Sequence, residues 1–345
     1  MQISQFDYDL PQELVAQEPL PERDASRMLV IDRAKRIWTD SEFKRFPEYI
    51  RENDVVVINN TRVFPARIIG QRDPSGGRVE VLLVRELEPF LWEGLVRPGR
   101  RLKQGARIQF GNSRFRAEIL DEPGEGVRRI RFDCDGLWET VLDELGETPL
   151  PPYINRPSGS STADRERYQT LFARERGAIA APTAGLHFTP QVLEHVLAQG
   201  ARLVEITLHV GYGTFEPVHV EDSEQHNVAA ERFEISNDAA QTINSARENG
   251  GRVVAVGTTT TRALEAAAGS DGKLEAVKRN AELTITPGYK FRVVDALLTN
   301  FHLPRSSLLL LVAAFAGREF ILDAYRHAVD ARYRFYSYGD CMLLI

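Results

Sequence analysis

Cysteine is scarce in this chain: two residues in 345, Cys134 and Cys341. Two distant cysteines exclude a disulfide framework and a cysteine-rich zinc site, and they suit a reducing compartment. Long apolar runs are missing as well. The longest, Leu308 to Ala316, is roughly half of the ~20 residues a membrane span requires, so it reads as a buried helix. The start, M-Q-I-S-Q-F-D-Y-D-L, has neither the basic opening nor the apolar core of a signal peptide. A cytoplasmic protein without a membrane partner is the expectation. Several familiar signatures are also absent: no Walker A sequence, no G-x-S-x-G and no H-E-x-x-H. G-Y-G-T-F-E at 211–216 opens like a dinucleotide fingerprint, but Glu216 stands where its third glycine belongs.

There is no overall excess of positive charge. The net charge is −6, which argues against a protein coated in cations for nucleic acid. The balance is uneven, however. Thr61 to Asp135 carries fifteen Lys and Arg against eleven Asp and Glu, leaving twenty-eight against thirty-eight elsewhere.

The patterning divides the chain. M-L-V-I-D (28–32) and D-V-V-V-I-N (54–59) are continuous β-branched runs, which suit strands buried on both faces. From Thr61 to about Leu150 the chain is broken by Gly and Pro between short alternating stretches such as R-V-E-V-L-L-V and V-R-R-I-R-F. That spacing predicts an antiparallel sheet or small barrel, with a helix only at Leu137 to Leu145. P-L-P-P-Y-I-N-R-P then reads as a linker and S-G-S-S-T as a mobile loop. Beyond Tyr168, strands (202–208, 252–256) alternate with helical spacings (191–199, 237–249, 261–268, 318–330). The fold class expected is α/β: an α/β core, made of the N-terminal strands and the second half, with an inserted all-β domain. The C-terminus, Y-R-F-Y-S-Y-G-D-C-M-L-L-I, is too apolar to hang free and should dock into the core.

Four polar segments carry the candidate chemistry. V-G-T-T-T-T-R follows a strand and opens a helix. Gly257 lets a ligand approach, Thr258 and Thr259 can cap or donate, and Arg262 can grip a carboxylate or phosphate bidentately. A capped helix with one surface arginine is the plainer alternative. A-P-T-A-G-L-H-F-T places Thr183, Gly185 and His187 in a loop of small residues ahead of a Thr189-Pro190 helix start. T-L-H-V-G-Y-G-T-F runs a strand bearing His209 into Gly211, Gly213 and Thr214. T-N-F-H-L-P puts Asn300 and His302 at a strand end, where α/β proteins keep their ligands. Each histidine alone could be a satisfied structural residue. Their recurrence at element ends points to a shared site. R-P-G-R-R-L-K adds Arg97, Arg100, Arg101 and Lys103 on one turn, either a solvated hairpin tip or a phosphate contact.

Taken in order, these segments resemble one family from residue 6 to the end: the S-adenosylmethionine:tRNA ribosyltransferase-isomerases of queuosine biosynthesis. D-Y-D-L-P-Q-E-L-V-A-Q-E-P, R-D-A-S-R-M-L-V, V-V-V-I-N-N-T-R-V-F-P-A-R-I-I-G and E-R-Y-Q-T-L-F-A join the four segments above and Y-R-F-Y-S-Y-G-D. Residues 111–147 carry little of the signature, and Cys341 stands where a small residue such as alanine is expected.

The resemblance implies an inserted β-barrel at 63–151 and an α/β catalytic domain of 1–62 together with 152–345. It implies transfer and isomerisation of the ribosyl part of S-adenosylmethionine onto 7-aminomethyl-7-deazaguanine at the tRNA wobble position. Epoxyqueuosine forms, and adenine and methionine leave. S-adenosylmethionine is then a consumed co-substrate, with no metal. A tRNA with a GUN-type anticodon is the expected partner, and a monomer is the expected state. The sulfonium acidifies the C5′ hydrogens, so a base is needed, and His302, His187 and His209 are the candidates. Arg23, Arg27 and Arg62 join the cationic turn as candidate RNA contacts. Two other readings stay open: a different S-adenosylmethionine or nucleoside enzyme, and an RNA-binding protein without activity.

Overall fold

The computed structural model describes residues 1–345 except 112–114, 125, 158, 216, 217 and 219. The chain forms two compact units. One comprises residues 1–62, 152–155 and 169–345; the other comprises 63–151 and 156–168. Segment 156–168 joins the rest of the second unit through polar contacts: Arg165 pairs with Asp143, and the Ser160 hydroxyl accepts from Thr148 N. Within the segment, Arg156 pairs with the buried Asp164. The expected S-G-S-S-T loop therefore leads into a helix, Thr162–Arg167, opened by a Ser161–Asp164 capping box.

The first unit is built on a nine-stranded sheet. Its centre is parallel, in the order Arg202–Leu208, Val55–Asn59, Val253–Val256, Ala296–Asn300. The apolar runs are continuous because both faces are covered. Val55, Val57 and Ala255 face one core cluster, while Val56, Ile58 and Val254 face the other. Cys341–Leu344 runs antiparallel beside Ala296–Asn300 and parallel beside Arg27–Asp32. The apolar C-terminal segment is thus an interior strand. Cys341 is fully buried there, its Sγ 3.7 Å from the Arg27 carbonyl.

This topology gathers one set of chain ends at one sheet edge. The parallel strands finish there, leading to His209, Thr61, Gly257 and His302. Cys341–Leu344 and Arg27–Asp32 run the other way and begin there, bringing Asp340 and Ser26. Ligand sites of α/β sheets lie at such an edge.

The second unit is a closed antiparallel barrel of six strands: Arg67–Asp73, Arg78–Glu88, Leu91–Arg97, Val127–Cys134, Phe115–Gly124 and Arg107–Phe110. The last pairs back onto the first. Alternation puts Phe110, Phe115 and Phe132 together, and Trp138 of the helix Trp138–Leu145 joins them. Among the described residues no helix is long and apolar enough to cross a membrane.

Candidate active site

A cavity in the first unit opens at the sheet edge just described. It is lined by Thr183, Gly257, Thr258, Thr259, Asn300 and His302, among others. Gly257 has φ +94°, a conformation that side-chain-bearing residues rarely adopt, and it ends a strand and starts the helix Thr258–Ala267 in one step. The helix therefore begins three residues before its apolar spacing indicates. Its threonines divide by role. Thr260 and Thr261 donate their hydroxyls to the carbonyls of Val256 and Gly257. The hydroxyls of Thr258 and Thr259, each residue only 6% exposed, have no partner among the described residues and border the cavity. With the free N–H groups of the first turn they form a donor-rich wall suited to an anion.

Arg262 is not part of that wall. It is 3% exposed and pairs with Glu231 at 2.7 Å, and it donates to the carbonyls of Leu283, Ala229 and Ala281. Glu231 also accepts from Gly211 N at 2.8 Å. The expected bidentate clamp for a substrate anion is instead a buried strut that joins the helix to the neighbouring strand and to the G-Y-G loop.

The three histidines have three different settings. His302 lines the cavity. Its Nε2 lies 2.9 Å from the Thr299 hydroxyl, and its Nδ1 has no partner among the described residues. Its backbone is held on both sides: its N–H donates to the Tyr325 hydroxyl at 3.1 Å, and its carbonyl accepts from Tyr8. Burial lowers its pKa to about 3, so the ring is a neutral acceptor at physiological pH.

His187 stands one layer behind the wall, with both ring nitrogens used. The Asn300 amide fixes its tautomer. Asn300 Nδ2 donates to the carbonyls of Tyr336 and Asp340, and Oδ1 accepts from Thr183, so it is the NH2 group that meets His187 Nε2 at 3.2 Å. Nε2 is then an acceptor, and Nδ1–H points to Ser26 Oγ at 2.7 Å. Burial, then Arg23 and Arg334, lower its pKa to about 4. This ring orients Asn300 and Thr183, and neither nitrogen is free to take a proton from a ligand.

His209 is not among the cavity-lining residues. It bonds the Thr61 hydroxyl at 2.8 Å and fills the space left by Gly177, where a Cβ would come within 2.7 Å of the ring. Burial, then Arg232 and Lys278, lower its pKa to about 4. The shared site expected for three histidines holds one in its wall and one behind it.

Gly185, Gly211 and Gly213 also lie outside the lining. A Cβ on Gly185 would strike the Phe172 ring at 2.8 Å, which makes this glycine a packing requirement. The side chain of Thr214 lies outside the described residues. Tyr336 and Ser337, which do line the cavity, carry no motif beyond the aromatic C-terminal run. Among the proposed RNA contacts, Arg27 is engaged within the fold. It donates to the Ala331 carbonyl at 2.8 Å and lies 3.7 Å over the Tyr333 ring. Arg23 donates to the Leu186 carbonyl at 3.1 Å. Arg62, Arg97, Arg100, Arg101 and Lys103 are exposed. No group of three or more His, Cys, Asp or Glu placed for a metal occurs among the described residues.

The buried neutral histidines carry a stability consequence. With folded pKa values of about 3 to 4 against an ordinary value of 6.5, the unfolded chain binds more protons between pH 6.5 and 4. Their contribution is complete above pH 6.5 and is lost as pH falls through this window, by up to about 1.4 kcal/mol per unit for each ring. Thermal melts at pH 7, 6 and 5 should show a steepening fall, and His187→Asn should flatten it. An unchanged slope would show that His187 titrates normally.

Comparison with known proteins covers the whole chain. A family model described as "Queuosine biosynthesis protein" matches residues 3–344. The S-adenosylmethionine:tRNA ribosyltransferase-isomerase of Halothermothrix orenii is 47% identical over 345 residues, with all of both chains covered. That of Pelotomaculum thermopropionicum is 48% identical with the same coverage. The crystal structure of S-adenosylmethionine tRNA ribosyltransferase from Thermotoga maritima matches at TM-score 0.56 and 35% identity, over 99% of this chain and 100% of that one. End-to-end agreement at these identities shows that the chain belongs to the queuosine biosynthesis protein family.

Proposed function

We propose that this chain is an S-adenosylmethionine:tRNA ribosyltransferase-isomerase. It transfers the ribosyl unit of S-adenosylmethionine to 7-aminomethyl-7-deazaguanine at the wobble position of a GUN-type anticodon and isomerises it to epoxyqueuosine, releasing adenine and methionine. It acts in the cytoplasm as a monomer. The observation that carries the reading is the full-length likeness to relatives of that name, at 47% identity in the first of them.

The cavity has groups for the steps this reaction requires. The first turn of Thr258–Ala267, with the Thr258 and Thr259 hydroxyls, receives the methionine carboxylate. His302 takes a proton from C5′, which the sulfonium acidifies. Loss of that proton turns a cation into a neutral ylide, and the nearby carboxylate stabilises the imidazolium that forms. His187 keeps Asn300 and Thr183 oriented toward the substrate.

The tRNA meets the barrel through its cationic turn. Arg72, Arg100, Arg101 and Lys103 line one groove with no carboxylate in its walls, and their side chains make no hydrogen bond or ion pair among the described residues. The turn is built to present three of them, Arg100, Arg101 and Lys103, while Arg72 comes from the strand Arg67–Asp73. Arg128, buried, donates to the carbonyls of Leu102 at 3.1 Å and Gly99 at 3.3 Å. Replacing the four cations by alanine should weaken tRNA binding and lower the slope of log affinity against log salt by about 3. An unchanged slope would remove the groove from the RNA interface.

The reaction itself is tested by incubating the protein with S-adenosylmethionine and tRNA carrying the deazaguanine precursor. Free adenine and a tRNA heavier by the transferred unit are expected. Methyl transfer without adenine would favour a different S-adenosylmethionine enzyme, and tight RNA binding without turnover would favour a binding protein.

A further inference from the structure

The loop carrying His302 is held by residues far from it in sequence. Three consecutive residues near the start of the chain each reach it through a different group. The Phe6 carbonyl accepts from Arg305 N at 3.0 Å, the Asp7 carboxylate pairs with Arg305, and the Tyr8 hydroxyl donates to the His302 carbonyl. Arg305 sits at φ +54°, a conformation rare outside glycine, so the loop turns sharply where the strap grips it. Tyr8 is fixed in turn by its ring, 5.1 Å edge-on from Tyr325 and 6.2 Å from Phe335. Tyr325 accepts the His302 N–H, so two tyrosine hydroxyls, both outside the loop, hold the two peptide groups that flank one histidine.

The other end of this strap is anchored too. Ile3 N donates to the Glu221 carbonyl at 2.8 Å, and Gln2 bridges Asp222. Residues 221–222 lie six and seven positions beyond Phe215, the last residue of the G-Y-G-T-F segment. The strap therefore ties the chain leaving that segment to the loop that presents His302.

We infer that residues 2–8 are a positioning strap for the reaction, with Tyr8 as the positioning residue that aims the His302 ring into the cavity. This rests on the reading of His302 as the proton acceptor. Tyr8 is not among the cavity-lining residues. It fixes the peptide on the C-terminal side of His302, Tyr325 fixes the one before it, and Thr299 then sets the ring. A base displaced by about 1 Å loses on the order of a hundredfold in rate while binding is untouched.

The test is Tyr8→Phe, which keeps the ring packing and removes only the hydroxyl. The expected result is a fall in kcat for adenine release of about ten- to a hundredfold, with KM for S-adenosylmethionine and the thermal midpoint nearly unchanged. The change is then repeated in His302→Gln. If Tyr8 acts through His302, it costs little or nothing further there. A wild-type kcat in Tyr8→Phe overturns the strap. So does a loss that is equal in both backgrounds, or one that disappears on cooling together with a lowered melting point. A wild-type rate in His302→Gln alone overturns the reading of His302 beneath it, whatever Tyr8→Phe does.

Discussion

His302→Gln is expected to slow adenine release by about a hundred- to ten-thousandfold, the range general-base catalysis supplies. Glutamine retains a hydrogen-bonding group near Thr299, so the loop should keep its shape. It has no lone pair basic enough to accept a carbon-bound proton. S-adenosylmethionine affinity should stay close to wild type, because the anion wall at Thr258 and Thr259 is a separate element. The pH profile gives a second readout. A histidine with a pKa lowered to about 3 by burial is already neutral at pH 7, so the wild-type rate should show no acid limb near 6.5 from this group. Rapid-quench measurement of adenine release with the purified variant is the check. Release at the wild-type rate would show that the proton goes elsewhere.

Glu231→Gln is expected to produce the largest loss of stability. The Arg262–Glu231 pair is 2.7 Å long and both side chains are nearly inaccessible to water. Glutamine keeps an oxygen for Gly211 N but leaves a buried guanidinium uncompensated, which costs about 3–5 kcal/mol. For a chain of this size that corresponds to a fall in Tm on the order of 10 °C. Combining Arg262→Met with Glu231→Gln should recover much of the loss, because the penalty lies in the stranded charge. Thermal melts of the two single variants and the double decide it. Single-variant midpoints within about 2 °C of wild type would show that solvent reaches the pair.

Much of the fold was legible because burial on both faces leaves continuous apolar runs. V-V-V-I-N and V-V-A-V carry the parallel centre, and the broken alternation after Thr61 carries the barrel. The site was legible only in outline. The sequence identifies strand ends, and a parallel sheet brings those ends to one edge, so Gly257, Asn300 and His302 meet as expected. It does not identify which side of the edge each residue faces. His209 lies at the right end of its strand, yet it turns to Thr61 and the space above Gly177. Arg262 could not be separated from a ligand-binding arginine without its partner, Glu231, thirty-one residues away. Tyr8 and Tyr325 reach His302 from 294 and 23 residues away, and no local pattern signals contacts of that span.

The interior position of Cys341–Leu344 bears on how the protein is made. Arg27–Asp32 and Ile37–Glu42 emerge early in synthesis, yet they join the sheet only through that late strand, since Arg27–Asp32 pairs with Cys341–Leu344 and with Ile37–Glu42 alone. Until that strand is in place these two strands have no partner in the sheet but each other, while the barrel, whose strands are neighbours in sequence, can close on its own. The α/β unit is thus complete only once residues 341–344 are available, and a nascent chain stalled before residue 341 should expose that hairpin to chaperones and proteases.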